Sequence, residues 1–256
     1  NALKFYKPID SNKFVTKILH EKFKQYNSNA KRTVGRVLLV DDSAVDRRLV
    51  EYFLSGPNIQ LSVAGTLEDA RSLAKEPFDL ILCELKLPDG DAVELIQWLK
   101  EQGSGTPIAI LSAIPSEMVS DTIVQSETKG YLLKPVDRAT LNTAVTDILG
   151  LPSSTESEQE PLLDLSDPTV MEIVDMFKGE VDLLVDALGD ESAFEDPIQL
   201  YSVVLRLQGT APTLGFEQLG KVAARAAESL AATMSSEESA PQLNALIESC
   251  KAARAA

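Results

Sequence analysis

Phe78-Asp79-Leu80-Ile81-Leu82-Cys83-Glu84-Leu85-Lys86-Leu87-Pro88-Asp89-Gly90 is the stretch that decides the fold. An apolar run with no turn residue in it ends in a carboxylate, and a Pro-Asp-Gly turn follows almost at once. A continuous apolar run, as opposed to an alternating one, marks a strand covered on both faces, as in parallel sheets flanked by helices. An acid at the end of such a strand stands at the carboxyl edge of the sheet, where open α/β folds place their chemistry. Glu84 is therefore the first candidate for a site residue.

Outward from this strand, residues 36–150 alternate strand and helix. Strands are predicted at Arg36–Val40, Gln60–Val63, Asp79–Cys83, Ile108–Leu111 and Tyr131–Leu133, with helices at Ala44–Leu54, Leu67–Ala74, Ala92–Lys100 and Arg138–Leu149. Strands separated by helices of this length imply right-handed crossovers and a five-stranded parallel, doubly wound sheet. Residues 151–166 are rich in Ser, Glu and Pro and are expected to be a flexible linker without a core. From 167 to 256 the pattern becomes purely helical. Four apolar stripes (Ile173 to Leu188, Leu200 to Ala211, Leu214 to Leu230, Leu243 to Cys250) predict an all-α antiparallel four-helix bundle.

Composition narrows the function. A length of 256 residues with 44% apolar and 25% charged residues suits two soluble globular domains. No run approaches the roughly 18 apolar residues of a membrane span. The opening residues lack the basic and apolar regions of a secretory signal, and the absent initiator Met suggests a processed chain or a fragment. Cys83 and Cys250 are far apart, so neither a disulfide framework nor a zinc site is expected, and a reducing cytoplasm is. Net charge is -15, yet residues 1–35 carry eight Lys/Arg against Asp10 and Glu21, which leaves the remainder near -21. So acidic a surface argues against nucleic acid as a direct partner, since phosphates are neutralised by Lys and Arg.

Five positions fall where strands hand over to loops: Asp41 and Asp42, Glu84, Ser112 and Lys134. They suit a phosphoryl group with a divalent metal. Acidic oxygens hold Mg²⁺, the lysine offsets phosphoryl charge and the hydroxyl donates to an oxygen. Four peptides in order, Val37-Leu38-Leu39-Val40-Asp41-Asp42-Ser43, the strand ending at Glu84 with Leu87-Pro88, Leu111-Ser112-Ala113 and Gly130-Tyr131-Leu132-Leu133-Lys134-Pro135, resemble the response-regulator receiver domain over residues 36–150. The resemblance implies a flavodoxin-like fold and Mg²⁺ at Asp41 and Asp42 with Glu84. It also implies an acceptor of phosphoryl from a histidine kinase at the position of Glu84, and Ser112 and Tyr131 as the residues that couple the event to the surface. The chain departs from that pattern at the centre, because the family has Asp where Glu84 stands. One more methylene advances the carboxylate by about 1.3 Å, and such a misplacement can cost on the order of a hundredfold in transfer. Transfer to Glu84 is expected to fail, and its carboxylate to reach toward Lys134 and Ser112. Asp89 and Asp91 are the neighbours that a displaced phosphosite would use. Cys83 and Trp98 are expected to pack in the core.

Leu205-Arg206-Leu207-Gln208-Gly209-Thr210-Ala211-Pro212-Thr213-Leu214-Gly215-Phe216 resembles the centre of a histidine phosphotransfer (HPt) domain spanning residues 167–256. The family pattern is His-x-Leu-Lys-Gly, and here Leu205 and Gln208 replace the His and the Lys. The chain's single histidine is His20, so the helical region contains none. Gly209 and the small residues after it are read as permitting close helix packing, Pro212 as a source of a kink, and Leu205 either as a contact residue or as part of the core. Finally, Lys7-Pro8-Ile9-Asp10 can be laid over Lys134-Pro135-Val136-Asp137, which suggests that residues 1–35 hold the end of a preceding receiver and a linker.

Together these features lead us to expect a cytoplasmic, non-enzymatic module of a phosphorelay: a pseudo-receiver, independent of phosphorylation, followed by a degenerate HPt-like bundle. Its expected partners are a histidine kinase, a receiver or an effector protein, with homodimerisation open. The competing readings are an active relay component with a displaced phosphoacceptor, as part of a hybrid kinase or tandem-receiver regulator, and a pure scaffold.

Overall fold

The computed structural model describes residues 34–119, 127–151, 163–188, 197–233 and 235–254. The first unit comprises β1 (Gly35–Val40), α1 (Ala44–Phe53), β2 (Ile59–Ala64), α2 (Leu67–Leu73), β3 (Leu80–Cys83), α3 (Ala92–Glu101), β4 (Ile108–Ser112), β5 (Gly130–Leu133) and α4 (Arg138–Leu149). Each lies within one residue of the span expected from the sequence. The strands pair in parallel in the order β2-β1-β3-β4-β5, the flavodoxin-like arrangement, whose strand order reverses between β1 and β3.

All four residues of β3 are buried. Leu80 and Leu82 join the cluster under α1 and α4, whereas Ile81 and Cys83 join the one under α2 and α3. Full burial of an aliphatic side chain is worth about 1.5–3 kcal/mol, so this tetrapeptide alone fixes which strand is central. The chain then reverses at Pro88-Asp89-Gly90, where Lys86–Leu87 pairs antiparallel with Gly90–Asp91. Gly90 has φ 146, and a Cβ there would lie 2.4 Å from a Glu94 oxygen, so the turn needs glycine. Ser43, Thr66, Asp91 and Asp137 cap the helices that follow them.

Among the described residues four further helices follow: α5 (Pro168–Leu188), α6 (Pro197–Thr213), α7 (Glu217–Thr233) and α8 (Ala240–Arg254). α6 packs on α7, α7 on α8, and α8 on α5. Ile173, Phe177, Val181, Val204, Leu207, Ala226, Leu230 and Leu246 are buried among them, as their spacing requires. The stripe of α5 ends earlier than the sequence suggests. Leu184, Val185 and Leu188 are only half-buried and Leu183 is 72% exposed; Leu183 and Leu184 border a cleft described below. Pro212 lies in the last turn of α6. A Cβ at Gly220 would stand 2.3 Å from its Cγ, so Gly220 lets the proline ring sit against α7.

The expected linker is not wholly without a core. Leu151 is buried and Leu163 packs on the main apolar cluster, so the packed structure reaches into both ends of 151–166. Residues 152–162 lie outside the described residues, as do 1–33 with His20 and the proposed receiver repeat. Among the described residues no helix is long and apolar enough to cross a membrane.

Candidate functional site

The reversal between β1 and β3 opens a crevice at their carboxyl ends, and the two strands deliver Asp41, Asp42 and Glu84 there. β5 delivers Lys134 to the same place. Its ammonium donates to Asp41 Oδ2, to Asp46 Oδ2 at 2.8 Å and to Glu84 Oε2 at 3.0 Å. The lysine side chain is 8% exposed and the three carboxylates 1–5%. The ion cluster is thus closed to water, and each remaining carboxylate oxygen has its own donor. Asp41 Oδ1 accepts the amide of Ser43 at 2.9 Å, Glu84 Oε1 the amide of Leu85 at 2.8 Å, and Asp46 Oδ1 the hydroxyl of Thr210 at 3.1 Å.

Burial and neighbouring charge compete in this cluster. Burial pushes the Asp41 carboxyl up to about 7, against the pull of Lys134. Burial acts on Asp46 in the same sense, but Lys134 and Arg206 outweigh it and hold that carboxyl below its usual range. Burial alone would lower the Lys134 ammonium; Asp41, Asp46 and Glu84 instead raise it well above the lysine range. Lys134 is therefore a fixed cation at the focus of three acids.

The other expected residues are placed as follows. Ser112 is fully buried, and its Oγ accepts the Ile114 amide at 3.2 Å. Tyr131 donates to the Ile114 carbonyl at 2.6 Å, so both residues hold the loop after β4. The Lys134–Pro135 peptide is cis. Asp89 accepts the amides of Leu67 and Glu68 at the start of α2, and Asp91 those of Val93 and Glu94 at the start of α3. Both carboxylates thus serve as helix caps. Cys83 is buried in the core, and Trp98 is half-buried beside it.

The helical unit sits on this edge. Arg206, the only charged residue of α6, places Nη1 3.0 Å from both oxygens of Asp42. Thr210, one turn on, reaches Asp46. Between them Gly209 faces the receiver-like unit and not, as its sequence context suggests, another of the C-terminal helices. A Cβ there would lie 2.9 Å from Pro135 Cδ. From α5, Glu180 accepts the Ser43 hydroxyl at 3.1 and 3.2 Å and the Val45 amide at 3.1 Å, and so covers the N-terminus of α1. Leu205 is half-buried against the shared apolar cluster, and Gln208 is half-buried. Between the two units lies a cleft of about 290 Å³, lined by Asp42 and Asp46 from the receiver-like unit and by Phe177, Glu180, Leu184 and Arg206 from the helical unit.

Two of these residues escape sequence reading. Asp46 stands three places after Ser43, where an acid looks like half of a capping box. Arg206 adjoins the position of a missing histidine; its one signal is that it is the sole charge on an otherwise uncharged helix.

Hard oxygen donors suit Mg²⁺, which requires near-octahedral geometry and keeps several waters. In the docked arrangement, however, three acids converge on an ammonium and Asp42 on a guanidinium. Among the described residues no group of three or more His, Cys, Asp or Glu is set to hold a metal. The residues present do not fit a bound Mg²⁺ while the units are docked.

Residues 37–146 match the response regulator receiver domain. The chain is 35% identical over 131 residues to Response regulator protein PilR of Pseudomonas aeruginosa, a match covering 50% of this chain and 28% of PilR. It is 29% identical over 185 residues to the KDP operon transcriptional regulatory protein KdpE of Escherichia coli, covering 72% of this chain and 77% of KdpE. The solved chemotaxis response regulator CheY4 of Vibrio cholerae has 26% identity and a TM-score of 0.41, covering 45% of this chain and 99% of that one. The match to PilR thus spans little more than a quarter of that relative's length. With five parallel strands in the flavodoxin-like order and the acid edge at their carboxyl ends, residues 37–146 are a response regulator receiver domain.

Proposed function

We propose that this chain is a regulatory module of a two-component signalling protein that works by protein contact, without accepting a phosphoryl group. In this reading the C-terminal helices form an HPt-like bundle that acts as a built-in, histidine-free partner for the receiver. The carrying observation is the state of Glu84. It is 3% exposed, and its two oxygens are taken by Lys134 and by the Leu85 amide. An in-line acceptor needs a free, approachable oxygen, and Glu84 has none while Arg206 and Thr210 cover the edge. Asp89 and Asp91 are poor substitutes, because accepting phosphoryl would cost each its helix-capping bonds.

In this role a histidine kinase, another receiver or an effector is recognised through surfaces set by the docked arrangement. The test is intact-mass measurement after incubation with acetyl phosphate or a kinase. The wild-type chain is expected to gain no phosphoryl group, whereas Glu84→Asp combined with Arg206→Gln gains one. Phosphoryl on the wild-type chain would refute the proposal and favour an active relay component.

A further inference from the structure

We infer that the cleft between the two units is a docking surface for a partner protein, and that its occupant is a basic amphipathic helix. This rests on the reading of the chain as a module that works by protein contact, and it names where that contact is made.

On the side of the helical unit the cleft is walled by two helices. Phe177, Val181, Leu184 and Ala187 follow one another along α5 at steps of three or four residues, and Val203 and Leu207 do so along α6. Helical walls have their backbone hydrogen bonds satisfied internally, so an extended strand gains nothing by pairing with them. From Phe177 to Ala187 the axis of α5 advances about 15 Å. That length receives side chains at i, i+3 or i+4 and i+7 of a facing helix, which span about 10 Å. The volume of about 290 Å³ lies just under the roughly 300–1,000 Å³ of pockets that enclose a whole small ligand. It suits instead a few anchoring side chains whose backbone stays outside.

Floor and rim differ in exposure. Phe177, Val181 and Leu207 are buried and form the floor, whereas Leu183 is the most exposed large apolar side chain among the described residues. A single exposed leucine is ordinary; one that continues a buried apolar floor outward extends a groove.

The rim is acidic. Helix α5 carries Glu172, Asp175, Glu180, Asp182 and Asp186 against Lys178 alone. The arginines nearby are already matched: Arg206 by Asp42, Arg48 by Glu51 and Glu172, and Arg254 by Asp182. Glu180 accepts from neutral groups, the Ser43 hydroxyl and the Val45 amide. Asp186, one turn beyond Leu183, is exposed and has no ion partner among the described residues. Residues 163–254 as a whole hold sixteen Asp/Glu against six Lys/Arg, so the local excess is not offset by the rest of the unit. An apolar stripe flanked by Lys or Arg therefore matches floor and rim at once, and an acidic helix of the same shape is repelled.

The test uses the whole chain and two synthetic fluorescent helical peptides, with binding read by anisotropy. One peptide has leucines at i, i+3, i+4 and i+7 flanked by lysines; the other has glutamate in place of every lysine. The basic peptide is expected to bind at least about tenfold more tightly than the acidic one and to slow amide exchange along α5. Leu183→Ser removes the exposed apolar edge and should weaken binding about tenfold. Asp186→Lys should weaken it about threefold. Glu217→Lys changes an exposed acid of α7, a helix that does not line the cleft, and should alter affinity little. Equal binding of the two peptides would overturn the inference. So would wild-type affinity in Leu183→Ser, folded by circular dichroism, or a loss in Glu217→Lys as large as that in Asp186→Lys. Self-association of the wild type that Leu183→Ser abolishes would overturn it in favour of a second copy. Peptide binding that appears only when Phe14→Asp and Ile18→Asp are introduced would overturn it in favour of the chain's own basic segment. Phosphoryl uptake is read separately by mass, so failure here and failure of the phosphorylation-independent reading give different results.

Discussion

Replacing Lys134 by Met should destabilise the receiver strongly at alkaline pH and much less in mild acid. The side chain is 8% exposed, and its three acidic partners, Asp41, Asp46 and Glu84, are 1%, 5% and 4% exposed. Removing one partner of a buried ion pair costs about 3–5 kcal/mol, because the charge left behind is neither hydrated nor paired. Here one deletion leaves three such charges. The variant can escape only by protonating them, and protonation becomes easier by about 1.4 kcal/mol per pH unit for each group. The wild-type lysine, raised well above its usual range by those acids, keeps its full contribution throughout neutral pH and loses it only when pH rises through that elevated value. Urea unfolding followed by circular dichroism should therefore show a loss of about 3–5 kcal/mol at pH 8 in the first cooperative transition, and a loss about 1–3 kcal/mol smaller at pH 5. Adding Glu84→Gln to Lys134→Met should recover part of the loss. A loss below about 1 kcal/mol at pH 8, the scale of an exposed pair, or an equal loss at both pH values, would refute the view of Lys134 as the central counter-ion of a dry cluster.

Three other outcomes are expected. In Mg²⁺-free buffer the Asp41 carboxyl carbon should titrate near 7 and that of Asp46 below the usual range. Since the folded pKa of Asp41 lies above its ordinary 3.8, its share of stability is complete below that value and lost as pH rises through about 7, and Asp41→Asn should flatten that decline. Glu180→Ala removes the acceptor for the Ser43 hydroxyl and the Val45 amide; exchange at Val45 should accelerate, with a stability loss of about 1 kcal/mol. Gly220→Val forces a side chain into Pro212 and should cost about 1–3 kcal/mol by thermal unfolding, whereas Gly56→Ala, with open space around it, should cost little.

The receiver was legible because its signals are local. Leu80 to Cys83 read as a strand buried on both faces, and the turn at Pro88-Asp89-Gly90 as its end, whatever the rest of the chain does. Asp41, Glu84 and Lys134 could be brought together from sequence because strand ends in a parallel sheet share one edge. What the sequence could not show is the meeting of two distant segments. The partners that the helical unit gives Asp42, Asp46 and Ser43 lie more than 130 residues away, on helices whose periodicity reports only their own buried faces. Gly209 illustrates the limit. Its lack of a side chain was readable as a close approach, but whether a sister helix or Pro135 makes that approach depends on docking.

On the proposed reading, Glu84 and Leu205, which stand where the receiver and HPt patterns have an aspartate and a histidine, make sense together. A phosphorelay contact must form, align a donor with an acceptor, and part again. A histidine at position 205 would bring a titrating, polar ring against an apolar cluster, at a desolvation cost; Leu205 packs on that cluster instead. An aspartate after β3 would be shorter by about 1.3 Å, which would leave a gap between its carboxylate and the ammonium of Lys134. Glu84 closes that gap at 3.0 Å while its second oxygen takes the Leu85 amide. On that reading each residue puts a group that satisfies its neighbours at rest in the place of one suited to transient transfer. The contacts that only hold the units together, Arg206 to Asp42, Thr210 to Asp46 and Gly209 against Pro135, need no transferable group at all. On the same reading such an interface supplies stability without chemistry, and a signal would act by changing how firmly the two units hold one another.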